Sequence, residues 1–226
     1  MKKNLTELVF ILDRSGSMRG LEKDTIGGFN GMLDKQREEE GDANITTVLF
    51  DDQYEKVHDR LPLDQVKDLT SKEYYVRGCT ALLDAIGRTI YEMGLIQKHL
   101  PDSEKAGKVI VVITTDGLEN ASHEYSRDKV KTMIEHEKEK YGWEFLFLGA
   151  NMDAVAEAGS LGIGADRSVT FENDSQGIEL NYEVVGRTLC QMRACAPSAA
   201  PMGAEWKEDI EEDYNKRKKG LFGRKK

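Results

Sequence analysis

Oxygen-bearing side chains occupy alternate positions directly after an apolar stretch near the start of the chain. The segment FILDRSGSM (10–18) begins with apolar residues and continues with Asp13, Ser15 and Ser17. Alternate side chains of an extended chain point to the same side, whereas on a helix Ser15 would point roughly 200° away from Asp13. The spacing therefore predicts an extended loop that gathers one carboxylate and two hydroxyls.

Two further segments supply oxygen atoms close to strand or helix ends. Asp116 follows an apolar run in TTDG (114–117), and Thr80 opens a helical pattern in RGCTALLDAIG (77–87). In open α/β sheets, ligands bind at the carboxyl ends of the strands, where the connecting loops meet. We therefore predict one metal site, built from Asp13, Ser15, Ser17, Thr80 and Asp116.

The chemistry of this set is that of a site for a hard divalent cation. It contains two carboxylates and three hydroxyls, with no Cys or His ligand, and oxygen ligands favour Mg²⁺, Mn²⁺ or Ca²⁺ over zinc or copper. Two negative charges neutralise a divalent ion and no more, so the ion would stay electrophilic. Mg²⁺ prefers six oxygens in an octahedron, which leaves a position for an acidic side chain from a partner.

Four of the five residues, all except Asp13, also have a simpler explanation when each is taken alone. Ser and Gly are common in turns after strands, Thr80 suits a helix N-cap, and Asp116 before a glycine is an ordinary turn residue. A shared metal site is the interpretation that accounts for all five positions together.

Residues close to the predicted ligands are candidates for further roles. Arg14 either steers an acidic partner or is solvated, and Met18 and Arg77 are candidate contacts at the rim of the site. Asp84 either complements the dipole of its helix or hydrogen-bonds the loop at 13–18.

Residues after two of the predicted strands also have polar side chains. Glu119 and Asn120 either contact water on the ion or belong to an exposed loop, and Asn151 is predicted as a helix cap.

The elements that must position these residues alternate between strand and helix. Apolar runs that do not alternate with polar residues are typical of parallel strands covered on both faces, and they lie at 8–12, 109–113 and 144–149. An edge hairpin is predicted from 45–50 onward and a last strand at 166–171, with helical patterns between the strands at 24–40, 80–100, 126–142, 151–163 and 175–194. This alternation predicts a doubly wound α/β sheet with helices on both faces.

Composition limits the class of protein. The net charge of −9 over 226 residues argues against general nucleic-acid binding, and no apolar run approaches the roughly 20 residues of a transmembrane helix. The apolar run near the start is interpreted as the first core strand rather than a signal peptide. Three cysteines, Cys79, Cys190 and Cys195, fit a reducing compartment, so we expect a cytoplasmic protein.

The expected domain covers residues 1–195, and residues 196–226 form a linker and a charged tail. Trp206, Ile210 and Tyr214 share a helical face, but a solvated tail is the alternative. Seven of the last eleven residues are basic, which indicates either contact with an anionic surface or a solubilising role.

The segments DRSGSM (13–18), GCTALLDAIG (78–87) and TTDG (114–117), in that order, resemble the metal-ion-dependent adhesion site (MIDAS) of von Willebrand factor type A domains. The family motif, Asp-x-Ser-x-Ser followed by a Thr and an Asp, matches all five predicted ligands. The resemblance covers about residues 5–195. It implies Mg²⁺, a doubly wound, Rossmann-like sheet with one antiparallel edge strand, and contact through the ion with an acidic residue of a partner protein.

The resemblance also carries expectations about individual roles. It implies that the serine and threonine hydroxyls coordinate the ion directly or in alternating states, that the aspartates often act through water, and that affinity changes with a rearrangement of the last helix (175–195). The stretch FLGANMDAVAEAGSLGI (147–163) is similar to small bacterial and phage members of the family, which implies an intracellular setting.

The predicted function is a Mg²⁺-dependent protein-binding module with no catalytic residues. Mn²⁺ and Ca²⁺ are alternative ions. Two other functions stay open: a hydrolase in which a metal-activated water is the nucleophile and Asp13 or Asp116 is the base, and a scaffold that acts through the charged tail.

Overall fold

The fold is built on one six-stranded sheet with helices on both of its faces. The computed structural model describes residues 2–150, 152–195 and 202–223. The strands are β1 (Lys2–Asp13), β2 (Asp42–Phe50), β3 (Tyr54–Pro62), β4 (Ala106–Thr115), β5 (Glu144–Ala150) and β6 (Ser168–Phe171). They lie in the order β3-β2-β1-β4-β5-β6, and all neighbouring pairs are parallel except β2 and β3. The predicted doubly wound sheet with one antiparallel edge strand is therefore confirmed.

Helices connect these strands and cover both faces of the sheet. Those in the described residues are α1 (Glu22–Arg37), α2 (Leu82–His99), α3 (Arg127–Tyr141), α4 (Ala154–Ser160), α5 (Ser175–Ala194) and α6 (Glu208–Gly223). Ser126 caps α3, and Gly142, with φ of 66°, ends it, as the sequence predicts. Asn151, the predicted helix cap, lies outside the described residues, and Asp153 caps α4. No helix in those ranges has the length and apolar character that a membrane span requires.

The central strand, β1, has buried apolar side chains on both of its faces. In β1, Leu8, Phe10 and Leu12 pack into one cluster, and Val9 and Ile11 pack into the other. The first cluster includes α1 and α5 through Phe29, Leu33, Val185 and Leu189, and the second includes α2 and α3 through Leu82, Ile86, Val130 and Ile134. Because both faces are covered, the buried strands consist of continuous apolar runs.

The strand order reverses between β1 and β4. The chain first adds β2 and β3 on one side of β1 and then returns to place β4 on the other side. Leu12 pairs with Thr114, so the two strands end at the same level, at Asp13 and Thr115. Ligands of open α/β sheets bind outside the carboxyl ends of the strands at such a point. The fold therefore brings the predicted ligand loops together.

A C-terminal helix packs along the sheet edge formed by β6. Trp206 and Ile210 are buried and Tyr214 is half-buried. The indole N–H of Trp206 donates to the carbonyl of Asp166 at 2.8 Å. For this segment the interpretation as a solvated tail is wrong, because Trp206 and Ile210 join the core beside β6 and α5. Residues 196–201 of the expected linker lie outside the described residues.

Truncation of Ile210 tests this packing. Because Ile210 is 2% exposed, we expect Ile210→Ala to lower the free energy of unfolding by about 2–4 kcal/mol in urea denaturation. The control is Leu118→Ala, at a side chain that is 62% exposed, for which the change should stay within about 0.5 kcal/mol. Equal stability of the two variants would show that α6 is not packed on the domain.

Candidate metal centre

Asp13 is the last residue of β1, and its carboxylate is buried. Its Oδ1 accepts a hydrogen bond from the backbone N–H of Ser15 at 2.7 Å, and its Oδ2 accepts one from the hydroxyl of Thr115 at 2.7 Å. The hydroxyl of Tyr74 donates to the backbone carbonyl of Asp13 at 2.6 Å. These bonds fix the carboxylate and fold the start of the following loop around it.

The two serines of this loop form a hydrogen-bonded chain with Asp116. The hydroxyl oxygens of Ser15 and Ser17 lie 3.0 Å apart, and the hydroxyl of Ser17 donates to Asp116 Oδ1 at 2.5 Å. Ser15 is buried, whereas Ser17 is exposed. These hydrogen bonds therefore connect the buried Ser15 with the surface, at the carboxyl ends of β1 and β4.

Thr80 closes the site from the loop before α2. Its backbone N–H donates to Asn120 Oδ1 at 2.9 Å, and its carbonyl accepts from the backbone N–H of Asn120 at 3.0 Å. A Cβ atom on Gly117 would lie 3.0 Å from the Thr80 hydroxyl oxygen and 3.5 Å from that of Ser17. Both hydroxyls thus border one small space, and the structure brings all five predicted residues together.

The donor geometry fits a small divalent cation. In an octahedron with metal–oxygen distances of about 2.1 Å, neighbouring ligands lie about 3.0 Å apart, which matches the 3.0 Å between the Ser15 and Ser17 oxygens. Ser15, Ser17 and Thr80 would hold the ion, and Asp13 and Asp116 would supply negative charge from behind them. Within the described parts of the chain, no group of three His, Cys, Asp or Glu side chains is suited to a metal, so this site depends on its hydroxyls.

Burial makes both carboxylates weaker acids than usual. It raises the pKa of Asp13 to about 6, although hydrogen bonds from Thr115 and Ser15 offset part of the effect, and the nearby charge of Asp116 adds to it. Burial also raises the pKa of Asp116, against hydrogen bonds from Ser17 and Asn173. Ionising both groups is therefore unfavourable, and a cation between the loops would relieve this cost.

Arg14, between Asp13 and Ser15, is fully buried. Its Nε bonds to Asp51 at 3.1 Å and its Nη1 pairs with Glu55 at 2.8 Å. Both interpretations from the sequence, steering of a partner and solvation, are therefore wrong, because the acidic residues of the β2–β3 hairpin draw the guanidinium inward.

Of the two other rim candidates, Met18 belongs to the protein interior, whereas Arg77 lies partly at the surface. Met18 is 4% exposed and is part of the core, so it is not a rim contact. Arg77 is half-buried, and its Nε bonds to Asp51 at 2.6 Å. The ring of Tyr75 lies between two guanidinium groups, 5.3 Å from that of Arg14 and 5.3 Å from that of Arg77.

Asp84 and Glu119 hold the loop that follows β4. Asp84 accepts from the backbone N–H groups of three consecutive residues, 123–125, at 2.8–2.9 Å. Glu119 accepts from the backbone N–H of Leu83 at 2.8 Å, at the start of α2, and from two N–H groups of its own loop. Asp84 therefore does not bond to the loop at 13–18, and neither carboxylate faces the space between the hydroxyls.

Several residues that hold the site were not predicted from the sequence. Thr115 directly precedes Asp116, so the TTDG motif itself contained a signal for it. Tyr74 and Asn173 lie in distant loops, and no local pattern marks them. Asn173 follows β6 and donates from Nδ2 to Asp116 Oδ2 at 2.9 Å.

Solved structures that superpose on this chain include von Willebrand factor type A proteins. A von Willebrand factor type A protein from Catenulispora acidiphila is 16% identical, with a TM-score of 0.52 over 84% of this chain and 42% of that one. Proximal thread matrix protein 1 from the mussel byssus, with a zinc-occupied MIDAS motif, is 17% identical, with a TM-score of 0.56 over 82% of this chain and 46% of that one. The pilus adhesin SpaC from Lactobacillus rhamnosus GG is 10% identical, with a TM-score of 0.59 over 83% of this chain and 30% of that one.

These similarities establish the fold of the chain. No protein-family model matches the sequence, and no curated protein matches it significantly. The chain spans less than half the length of each of these three structures. The chain therefore has the von Willebrand factor A fold, with the five predicted residues at the carboxyl edge of its sheet.

The raised pKa of Asp13 predicts how stability depends on pH in the presence of EDTA. The folded state binds the Asp13 proton more tightly than the unfolded state, so the contribution of Asp13 is present below pH about 4 and is lost as the pH rises through about 6. We expect a loss on the order of 3 kcal/mol in the free energy of unfolding, measured by urea denaturation across this range.

The matched control for this prediction is Asp13→Asn, which removes the titrating group. Its stability curve should lack that part of the decline. Parallel curves for the two proteins between pH 4 and pH 6 would contradict the buried position of the carboxylate.

Proposed function

We propose that this chain is a divalent-metal-dependent protein-binding module. In this proposal Mg²⁺ lies between the hydroxyls of Ser15, Ser17 and Thr80, and an Asp or Glu of a partner protein completes its coordination. The observation that carries the proposal is the pair of hydroxyl oxygens 3.0 Å apart in front of two buried carboxylates. The zinc-occupied MIDAS motif of the mussel protein supports divalent-ion binding by this fold.

The burial of the site residues supports a coordination position that faces outward. Asp13, Ser15 and Thr80 are buried, whereas Ser17 is exposed. The protein would therefore surround the ion from the sheet side and leave its outer side open. Because the two carboxylates only neutralise the ion, a carboxylate from outside would still be attracted to it.

Two large apolar side chains are exposed in the loops of this edge. Leu118, 62% exposed, directly follows Gly117, and Tyr75, 42% exposed, stacks with the guanidinium of Arg14. Apolar contact around a buried polar contact is a common arrangement in protein interfaces. We propose that the partner presents its acidic residue next to apolar side chains.

A hydrolase is less well supported by the same geometry. Asp13, one of the two candidate bases, is 2% exposed, and both of its oxygens accept hydrogen bonds from protein groups. Arg14, which could have stabilised a leaving group, pairs with Asp51 and Glu55 instead. We therefore propose no catalytic role for the chain.

The remaining parts of the proposal concern the tail and the location. Because α6 packs its apolar face on the domain, we propose a structural role for it ahead of a scaffolding role. All three cysteines are free thiols, which supports a cytoplasmic location because reduced thiols are typical of that compartment.

Replacement of either serine should weaken metal binding. We expect Ser15→Ala and Ser17→Ala each to lower Mg²⁺ and Mn²⁺ affinity at least about tenfold, or about 1.4 kcal/mol, because each loses a ligand. Calorimetric titration of chelator-treated protein measures the affinity, and Ser71→Ala, in an exposed turn, is the matched control. Equal affinity in all of these proteins would refute binding by the hydroxyls.

Capture of a partner then tests the role of the ion. A protein retained on the immobilised wild-type chain in Mg²⁺ should be released by EDTA and should not bind to Asp13→Ala. Replacing one Asp or Glu of that protein with Ala should abolish binding. A partner that stays bound in EDTA would show that the ion is not the contact.

A further inference from the structure

The loop between β6 and α5 reaches the proposed metal centre through one side chain. Asn173 Nδ2 donates to Asp116 Oδ2 at 2.9 Å, while Asp116 Oδ1 accepts from Ser17. The carboxylate of Asp116 is thus held from both sides by donors that come from different loops. These two bonds set the orientation in which Asp116 faces the hydroxyls.

The other atom of the same amide has no such bond. Asn173 Oδ1 is buried, and the described residues offer it no hydrogen-bond partner. A buried carbonyl oxygen without a partner is unfavourable and in native proteins is commonly satisfied by ordered water or an ion. Rotating the amide by half a turn would not help, because its oxygen would then face Asp116 Oδ2 and two acceptors repel each other.

Asp174, the residue after Asn173, is held by hydrogen bonds to α5 and α6, which fixes this end of the loop. Asp174 caps α5 by accepting from the backbone N–H of Gly177 at 2.8 Å. Its other carboxylate oxygen accepts from Arg217 of α6 at 2.5 Å. A Cβ on Gly177 would lie 2.1 Å from the carbonyl of Glu172, so this turn accepts no larger residue without shifting.

We propose that Asn173 is a positioning residue of the metal centre. Its Nδ2 holds Asp116 in the orientation that serves the ion, and its Oδ1 accepts a hydrogen bond from a water molecule on that ion. This inference rests on the proposed metal binding and adds to it a residue outside the five of the motif. Side chains that orient metal ligands through hydrogen bonds typically change metal affinity by about 10–100-fold when they are removed.

The test compares two asparagines whose side-chain hydrogen bonds are partly buried. Asn30 bonds through both amide atoms to the backbone of Leu69 at 2.9 Å, so Asn30→Ala loses structural bonds away from the site. We expect Asn173→Ala to lower Mn²⁺ affinity at least tenfold in calorimetric titration, and Asn30→Ala to lower thermal stability in EDTA but leave Mn²⁺ affinity unchanged. A purely structural role for Asn173 would produce the Asn30→Ala pattern.

The outcomes separate this inference from the proposed function. If the wild-type chain binds Mn²⁺ and Asn173→Ala binds it equally well, the inference is wrong and the metal centre stands. If the wild-type chain binds no divalent ion, both are wrong. If Asn173→Ala does not fold, a crystal structure of the wild-type chain with Mg²⁺ decides: a water joining the ion to Asn173 Oδ1 supports the inference, and an Oδ1 turned away from the ion overturns it.

Discussion

Two carboxylates buried at the ends of neighbouring strands are the constraint on which the rest of this site depends. Asp13 ends β1 and Asp116 directly follows β4, and the parallel pairing of these strands keeps both groups at one level of the sheet. Burial raises both of their pKa values. Among the described residues, the donors that bond to these carboxylates are two hydroxyls, a backbone N–H and an amide, and none is a basic side chain. In the proposed function, a divalent cation would compensate the negative charge of these two groups.

The other charged groups nearby serve to hold the loops. Arg14 and Arg77 both bond to Asp51, which ties the loop after β1 to the hairpin and to the segment before α2. Asp84 and Glu119 accept from backbone N–H groups and fix the loop after β4 against α2. These four charged side chains are therefore used within the protein to hold the loops, while the hydroxyls of Ser17 and Thr115 hold the two carboxylates.

Local patterns in the sequence were sufficient to predict the fold and the proximity of five oxygen-bearing residues at one edge of the sheet. Apolar runs predicted the strands. The alternate spacing of Asp13, Ser15 and Ser17 predicted that their oxygens lie together, but the prediction of an extended loop was wrong for its second half, because Gly16–Met18 forms a short 3₁₀ helix. The prediction failed for Arg14, which looks solvated in a polar loop but is buried because Asp51, 37 positions away, pairs with it. Asn173 was missed because it meets Asp116 across 57 positions of chain. Such contacts depend on the topology and leave no trace in neighbouring residues.

The position of a bound ion is the decisive test of the proposed metal centre. A crystal of the chain grown with Mn²⁺ gives an anomalous signal that locates the metal without reference to any partner. We expect one strong peak within about 2.4 Å of the Ser15 and Ser17 hydroxyl oxygens, with the carboxylates of Asp13 and Asp116 behind them. A peak elsewhere, or an ordered site with water in place of the metal at saturating Mn²⁺, would contradict it.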